Sequence, residues 1–280
     1  MNDSEKILVV FCEGAHDVTF VYKIFEHCLA YKSTKLKFSE YPFPFNKLFK
    51  SSISHHADKD LSLDMAHKFF LPGRALKKGQ QWVLLFNSGG DGQVKKLKQY
   101  LAKILLLEDD PEHDDTRAFN DFIDYLFIYD ADDIGVGHRV KKAQGDFSQV
   151  DDEPFIEGDF APSQQSEYGY IHNNKAVFVW GENTAQGTLE DWLIPMHQQQ
   201  HSANLNKAYS TLDEMFEWQD NIAQQSKRHK AAMTLIGQKQ NPGYSLAVVL
   251  ADETLLTKDV YQTSDNVKGF VKFLNEFADV

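Results

Sequence analysis

Four runs in this chain are apolar at nearly every position: Ile7 to Phe11, Trp82 to Phe86, Tyr125 to Tyr129 and Ala176 to Trp180. A strand with one wet face alternates apolar and polar residues. Unbroken runs instead mark strands covered on both faces, as in a parallel sheet sandwiched between helices. The first run enters a turn at Glu13-Gly14, and then Val18, Val21, Tyr22, Phe25 and Leu29 recur at helical spacing. The second meets Gly89-Gly90, and then Val94, Leu97, Leu101 and Leu105 stay in phase. Strand, tight turn and helix thus repeat, which predicts a three-layer α/β core with a mainly parallel four-stranded sheet. Right-handed crossovers put all the strand ends on one edge, where ligands of such sheets bind.

The rest of the chain is arranged around that core. Residues 35–80 hold Pro42, Pro44, Pro72 and the pair His55-His56 without a long period, and read as an insertion with a short strand and a helix near Leu61 to Phe70. A helix is expected around Arg117 to Ile123, and Val136 should open another. Residues 143–172 form a second, polar insertion. Thr188 is a candidate N-cap for TLEDWLIPM, with Asp191 three residues on. The expected division is a core over residues 1–196 and a mostly helical C-terminal extension over 197–280.

Composition excludes several classes. No stretch is apolar for long enough to span a bilayer, and MNDSEKILVV lacks the basic start and cleavage site of a signal peptide, so a cytoplasmic protein without membrane contact is expected. Cys12 and Cys28 make neither a disulfide framework nor a zinc pattern. A net charge of −12 disfavours a broad electrostatic footprint on nucleic acid, while leaving room for local contact through bound cations.

Two acid pairs carry the chemistry. In FIYDADD, Asp130 closes an apolar strand and Asp132 follows two residues later, so both carboxylates can point out of the carboxyl edge toward a hard cation. In VVFCEGAHD, Glu13 follows the first strand and Asp17 opens a helix at the same edge. Each acid alone also suits a plain structural duty: Asp17 as a helix-start acid, Gly14 as a turn residue, Asp132 as a cap. Lone histidines such as His16 and His138 rank below them. Lys95, Lys96 and Lys98 read as a solvated helix face, and Asp109 to Asp115 as a charged loop.

The combination of a hydrophobic strand with Glu13-Gly14-x-x-Asp17 and a later one with Asp130-x-Asp132 resembles the Toprim superfamily, the metal-binding module of topoisomerases, primases and several nucleases. GTLEDWL and KRHKAAMTLIG are similar to elements that follow the core in the overcoming-lysogenisation-defect nucleases and a stand-alone branch. The resemblance implies Glu13 as general acid or base, Asp17, Asp130 and Asp132 as ligands of Mg²⁺ or Mn²⁺, and Glu190 as ligand of a second ion. It also places Gly89 and Gly90 where their amides would meet a phosphate. Lys230, with Lys227 as the competing choice, would steady charge in phosphoryl transfer from a helix whose apolar stripe includes Ala231 and Leu235.

The leading expectation is therefore a Mg²⁺-dependent nuclease acting on DNA or RNA, since clustered acids with bound cations suit phosphodiester chemistry. Two alternatives stand beside it. One is a haloacid-dehalogenase-like phosphatase with Asp130 as nucleophile and Asp132 as acid, although that motif ordinarily lies near the N-terminus. The other is a non-catalytic metal- or nucleotide-binding module working with a partner ATPase, since no P-loop sequence is present here.

Overall fold

The computed structural model describes residues 5–57, 70–110, 117–150, 155–156, 158–181 and 186–280. Strand β1 (Lys6–Cys12) leads into helix α1 (Ala15–His27), followed by β2 (Lys32–Ser33), α2 (Phe45–Ala57), β3 (Arg74–Lys78) and β4 (Gln81–Asn87). Then come α3 (Val94–Leu105), β5 (Ile123–Asp130), α4 (Val136–Phe147), β6 (Ala161–Pro162), β7 (Gly169–His172) and β8 (Lys175–Trp180). The chain ends in α5 (Leu189–Met215), α6 (Ile222–Gln240), α7 (Leu246–Ala251), α8 (Lys258–Thr263) and α9 (Asp265–Ala278). Among the described residues, no helix is long and apolar enough to cross a membrane.

The sheet corrects the four-stranded expectation. It has eight strands in the order β2-β3-β4-β1-β5-β8-β7-β6 and is mixed. The four apolar runs pair in parallel at its centre, β4 and β5 flanking β1 and β8 lying beyond β5. Antiparallel strands close both margins, β3 and β2 on one side and β7 and β6 on the other. These margin strands are short and polar, so they join through backbone pairing to a neighbour rather than through an apolar pattern of their own.

Alternate residues of the central strands feed two cores. Leu8, Val10 and Cys12 pack with α1 and the C-terminal helices. Ile7, Val9 and Phe11 pack on the other face with residues of α2, α3 and α4. This is why the runs are unbroken: both sets of side chains leave water, each large one contributing about 1.5–3 kcal/mol.

One local expectation is also corrected, and two more can be set beside the described elements. Residues Phe119–Asp121 form one 3₁₀ turn, with Asp121 accepting from the Ala118 amide, because β5 begins at Ile123 and leaves no length for a helix. The first insertion holds α2 as well as the short strand β3, whereas the helix expected near Leu61 to Phe70 falls almost wholly outside the described residues. The boundary expected at residue 196 lies inside α5, which continues past Pro195 and bends at His201 (φ −135°, ψ 33°).

Candidate functional site

The chain leaves β1 toward α1 on one face of the sheet and leaves β5 toward α4 on the other. Neighbouring strands whose connections diverge this way open a crevice at their carboxyl ends. The register sets Cys12 beside Ile128, so Glu13 and Asp130 follow at that mouth. Glu13 Oε2 accepts from the Asp130 amide at 3.2 Å.

Asp17 reaches the same place from α1. It sits three residues after the N-cap Gly14, and its Oδ2 accepts from the Gly14 amide at 2.9 Å. Its Oδ1 accepts from the indole Nε1 of Trp180, the last residue of β8, at 2.7 Å. Asp130 Oδ1 accepts from the Leu189 amide at 2.7 Å, which draws the start of α5 onto the sheet edge. The next residue, Glu190, is 1% exposed. Ser226 Oγ donates to its Oε2 at 2.9 Å, and Lys230 Nζ lies 3.5 Å from the same oxygen. Both partners come from α6, four residues apart and so on one face.

The electrostatics record this crowding. Burial, reinforced by the charges of Glu13 and Glu190, pushes Asp17 up to about 7 against the opposing bonds from Trp180 and Gly14. Burial and the charges of Asp17, Glu190 and Glu13 raise Asp130 well above the usual carboxylate range. For Lys230, burial acts to lower the pKa, but Glu190, Asp130 and Asp17 outweigh it and the net direction is up. Burial holds His16 below its ordinary value against the pull of Glu190, with Lys230 adding to the effect.

The structure thus brings together Glu13, Asp17, Asp130, Glu190 and Lys230, and sets other expected residues apart. Asp132, at φ +50°, gives its carboxylate to Arg139 Nη2 at 2.5 Å. Gly89 and Gly90 do take up positive φ, but their amides are engaged, by Asn87 Oδ1 at 3.0 Å and the Glu13 carbonyl at 3.0 Å, and so are not presented to a phosphate. Lys227 is exposed, and α6 buries Ala232, Met233 and Ile236 while Leu235 stays exposed, so the apolar stripe is rotated from the expected one. His138 is exposed on α4. His55 and His56 lie in α2, and their side chains are outside the described residues.

Trp180, Ser226 and Arg139 escaped the sequence reading. Only the position of Trp180 at the close of an apolar strand hinted at an edge role. Thr188 does cap α5, but through half of the expected box: Asp191 Oδ2 accepts from its amide at 2.8 Å, and its own hydroxyl is buried without a partner among the described residues.

In its chemistry the donor set suits a hard divalent cation. All four acids offer oxygen, and among the described residues no hydrogen bond engages Asp130 Oδ2 or Glu190 Oε1. Oxygen donors with free lone pairs among mutually repelling carboxylates fit Mg²⁺ or Mn²⁺. No three of these acids, however, bring ligand atoms within 4.8 Å of one another, so a shared ion would require side-chain rotation. Among the described residues that spacing occurs at Glu26, His27 and Glu253, where Lys23 already lies 2.8 Å from Glu26 and 3.2 Å from Glu253.

A family model described as a protein of unknown function (DUF3226) matches residues 6–279. The chain belongs to that family. The matched span covers the sheet, the acidic crevice and the C-terminal helices together. The chain is also similar to a hypothetical protein, PH0156, from Pyrococcus horikoshii OT3, whose crystal structure aligns at a TM-score of 0.48 and 12% identity over 97% of this chain and 95% of that one. No curated protein matches.

Proposed function

We propose that this DUF3226 protein carries out divalent-cation-dependent phosphoryl transfer on nucleic acid, with hydrolysis of phosphodiester bonds as the reaction. The observation that carries the reading is the convergence of Glu13, Asp17, Asp130 and Glu190 at one carboxyl-edge crevice beside Lys230. Asp130 and Glu190 would hold the cation, with Glu13 and Asp17 completing its surroundings. When bound, Mg²⁺ or Mn²⁺ supplies charge neutralisation at the phosphoryl oxygens and activation of water. Glu13, linked to the Asp130 amide, is the acid set to accept or return a proton. Lys230 faces the negative charge that develops on the phosphate.

A phosphatase using Asp132 as its acid is disfavoured, because that carboxylate is committed to a buried guanidinium. The test is a screen of labelled single- and double-stranded DNA and RNA with Mg²⁺ or Mn²⁺, comparing wild type with Asp130→Asn and measuring Mn²⁺ affinity separately. Cleavage by wild type, and loss of both cleavage and Mn²⁺ binding in the variant, is the expected result. Mn²⁺ binding without turnover of any substrate would replace this reading with a module that works through a partner such as an ATPase.

A further inference from the structure

Arg139 is 3% exposed on α4, nine residues after Asp130, and it grips the turn that follows β5. Its Nε donates to the Asp130 carbonyl at 2.9 Å, its Nη2 donates to Asp132 Oδ2, and its guanidinium carbon lies 5.8 Å from the centre of the Tyr129 ring. Tyr129 and Asp130 at the end of β5 and Asp132 just beyond it are thereby tied to one side chain.

The same turn is fastened a second time. Asp132 and Gly187 exchange backbone hydrogen bonds of 2.7 and 3.0 Å, which join the β5 exit to the segment that enters α5. Two residues beyond Gly187, the Leu189 amide reaches Asp130 Oδ1. Asp132 holds a left-handed conformation, which asparagine and aspartate adopt more readily than other non-glycine residues but still at some cost. Such a conformation persists only where surrounding bonds over-determine it, and here Arg139 and Gly187 do so.

A buried guanidinium also constrains its partner. Removing one partner of a buried ion pair is strongly destabilising, because it leaves a buried charge uncompensated. A cation drawn onto Asp132 would have to share its carboxylate with that guanidinium, like charge beside like charge. Asp130, by contrast, has Oδ2 clear of hydrogen bonds among the described residues.

We propose that Arg139 is the positioning residue of the crevice, and that Asp132 serves as its counter-ion instead of ligating the cation. This rests on the cation site proposed above. The second residue of the Asp-x-Asp pair then builds the site through the turn, and the cation falls to Asp130 and Glu190.

The experiment measures Mn²⁺ affinity for wild type, Arg139→Met, Arg139→Lys, Asp132→Asn and the Arg139→Met/Asp132→Asn double variant. Hydrogen exchange at the Asp132 and Leu189 amides is followed in the metal-free proteins. Residues that orient ligands typically change metal affinity by about 10–100-fold. The expected result is a loss of that size in Arg139→Met and Asp132→Asn alike, a smaller loss in Arg139→Lys, and no further loss in the double variant. Exchange at both amides should quicken. Asp132→Asn losing binding far beyond either Arg139 variant, with the double variant adding the two effects, would make Asp132 a ligand and overturn the proposal. If wild type binds no Mn²⁺, the cation site itself fails. The clamp is then still decided by exchange: quickening in Asp132→Asn, which replaces a half-exposed group and should fold, supports Arg139 as the positioning residue, and unchanged exchange removes it.

Discussion

Replacing Asp17 by Asn gives the most direct measure of what the crowded crevice costs the fold. The carboxyl is 5% exposed and sits at about 7 in the folded protein, against an ordinary 3.8. Between those two values the folded chain holds a proton that the unfolded chain has released. Unfolding therefore releases a proton, and stability falls as pH rises. At about 1.4 kcal/mol per tenfold change, the whole shift is worth on the order of 4 kcal/mol, and roughly 3 kcal/mol of it is lost between about pH 5 and pH 8.5. Asn cannot ionise, so that slope should vanish from the variant. Asn can accept from Trp180 or from the Gly14 amide, but not with two carboxyl oxygens, and near pH 5, where the Asp17 carboxyl is protonated, a lost bond to a neutral acceptor costs about 0.5–1.5 kcal/mol. The variant should accordingly match wild type or fall below it near pH 5, and gain on it steadily toward pH 8.5. Urea unfolding in a chelator, at several pH values, yields the difference. His197 is fully buried and pushed down to about 4 by burial, next by the nearby His201, so both proteins also lose stability toward acid, but this contribution cancels in the comparison. A stability difference that stays constant within about 0.5 kcal/mol over the range would refute the picture of an ionisation-limited crevice.

Lys230→Ala should reduce turnover on any nucleic acid that wild type cleaves while leaving Mn²⁺ affinity within about threefold, and Lys230→Arg should keep part of the rate, because the proposed role is charge stabilisation; equal rates for Ala and wild type would remove Lys230 from the reaction. Gly237→Ala would bring a Cβ within 2.1 Å of Val249 Cγ2 where α6 packs on α7, so thermal unfolding should show a loss of about 1–3 kcal/mol, and an unchanged melting temperature would mean that this helix pair yields easily.

The centre of the fold was legible because burial on both faces writes itself into sequence as unbroken apolar runs, and acids directly after such runs have few places to go but the sheet edge. The margins were not. Lys32–Ser33 and Ala161–Pro162 carry no apolar alternation to announce them and are strands because β3 and β7 offer them backbone partners, while the short strand expected in the first insertion takes its place from pairing with β4. Site residues divided along the same line. Glu13, Asp17 and Asp130 are tied to strand ends or a helix start, and spacing along the chain locates them. Ser226 lies 36 positions from Glu190, and Trp180 lies 163 from Asp17, so those pairings exist only once the layers have assembled. The direction of the Asp132 carboxylate was not legible for a more local reason: an Asp-x-Asp spacing is the same whether the second acid faces a cation or turns to an arginine seven residues later.

The way the crevice is built bears on how the two ends of the chain depend on one another. The strand ends supply Glu13 and Asp130, but every polar partner of Glu190 described above comes from α6, and Glu190 itself arrives on α5. The Leu189 amide neutralises part of Asp130 through the start of α5, where the unpaired amides and helix dipole both favour an anion. Without the C-terminal helices, Asp130 would lose that donor and Trp180 its cover, since Trp180 packs against Trp192 of α5 and Phe270 of α9 at ring-centre separations of 4.8 and 5.2 Å. Loosening Trp180 would in turn release Asp17. The extension is thus part of the wall that keeps Asp17 and Glu190 buried beside the half-buried Glu13 and Asp130, and it is the extension that brings Lys230 to them.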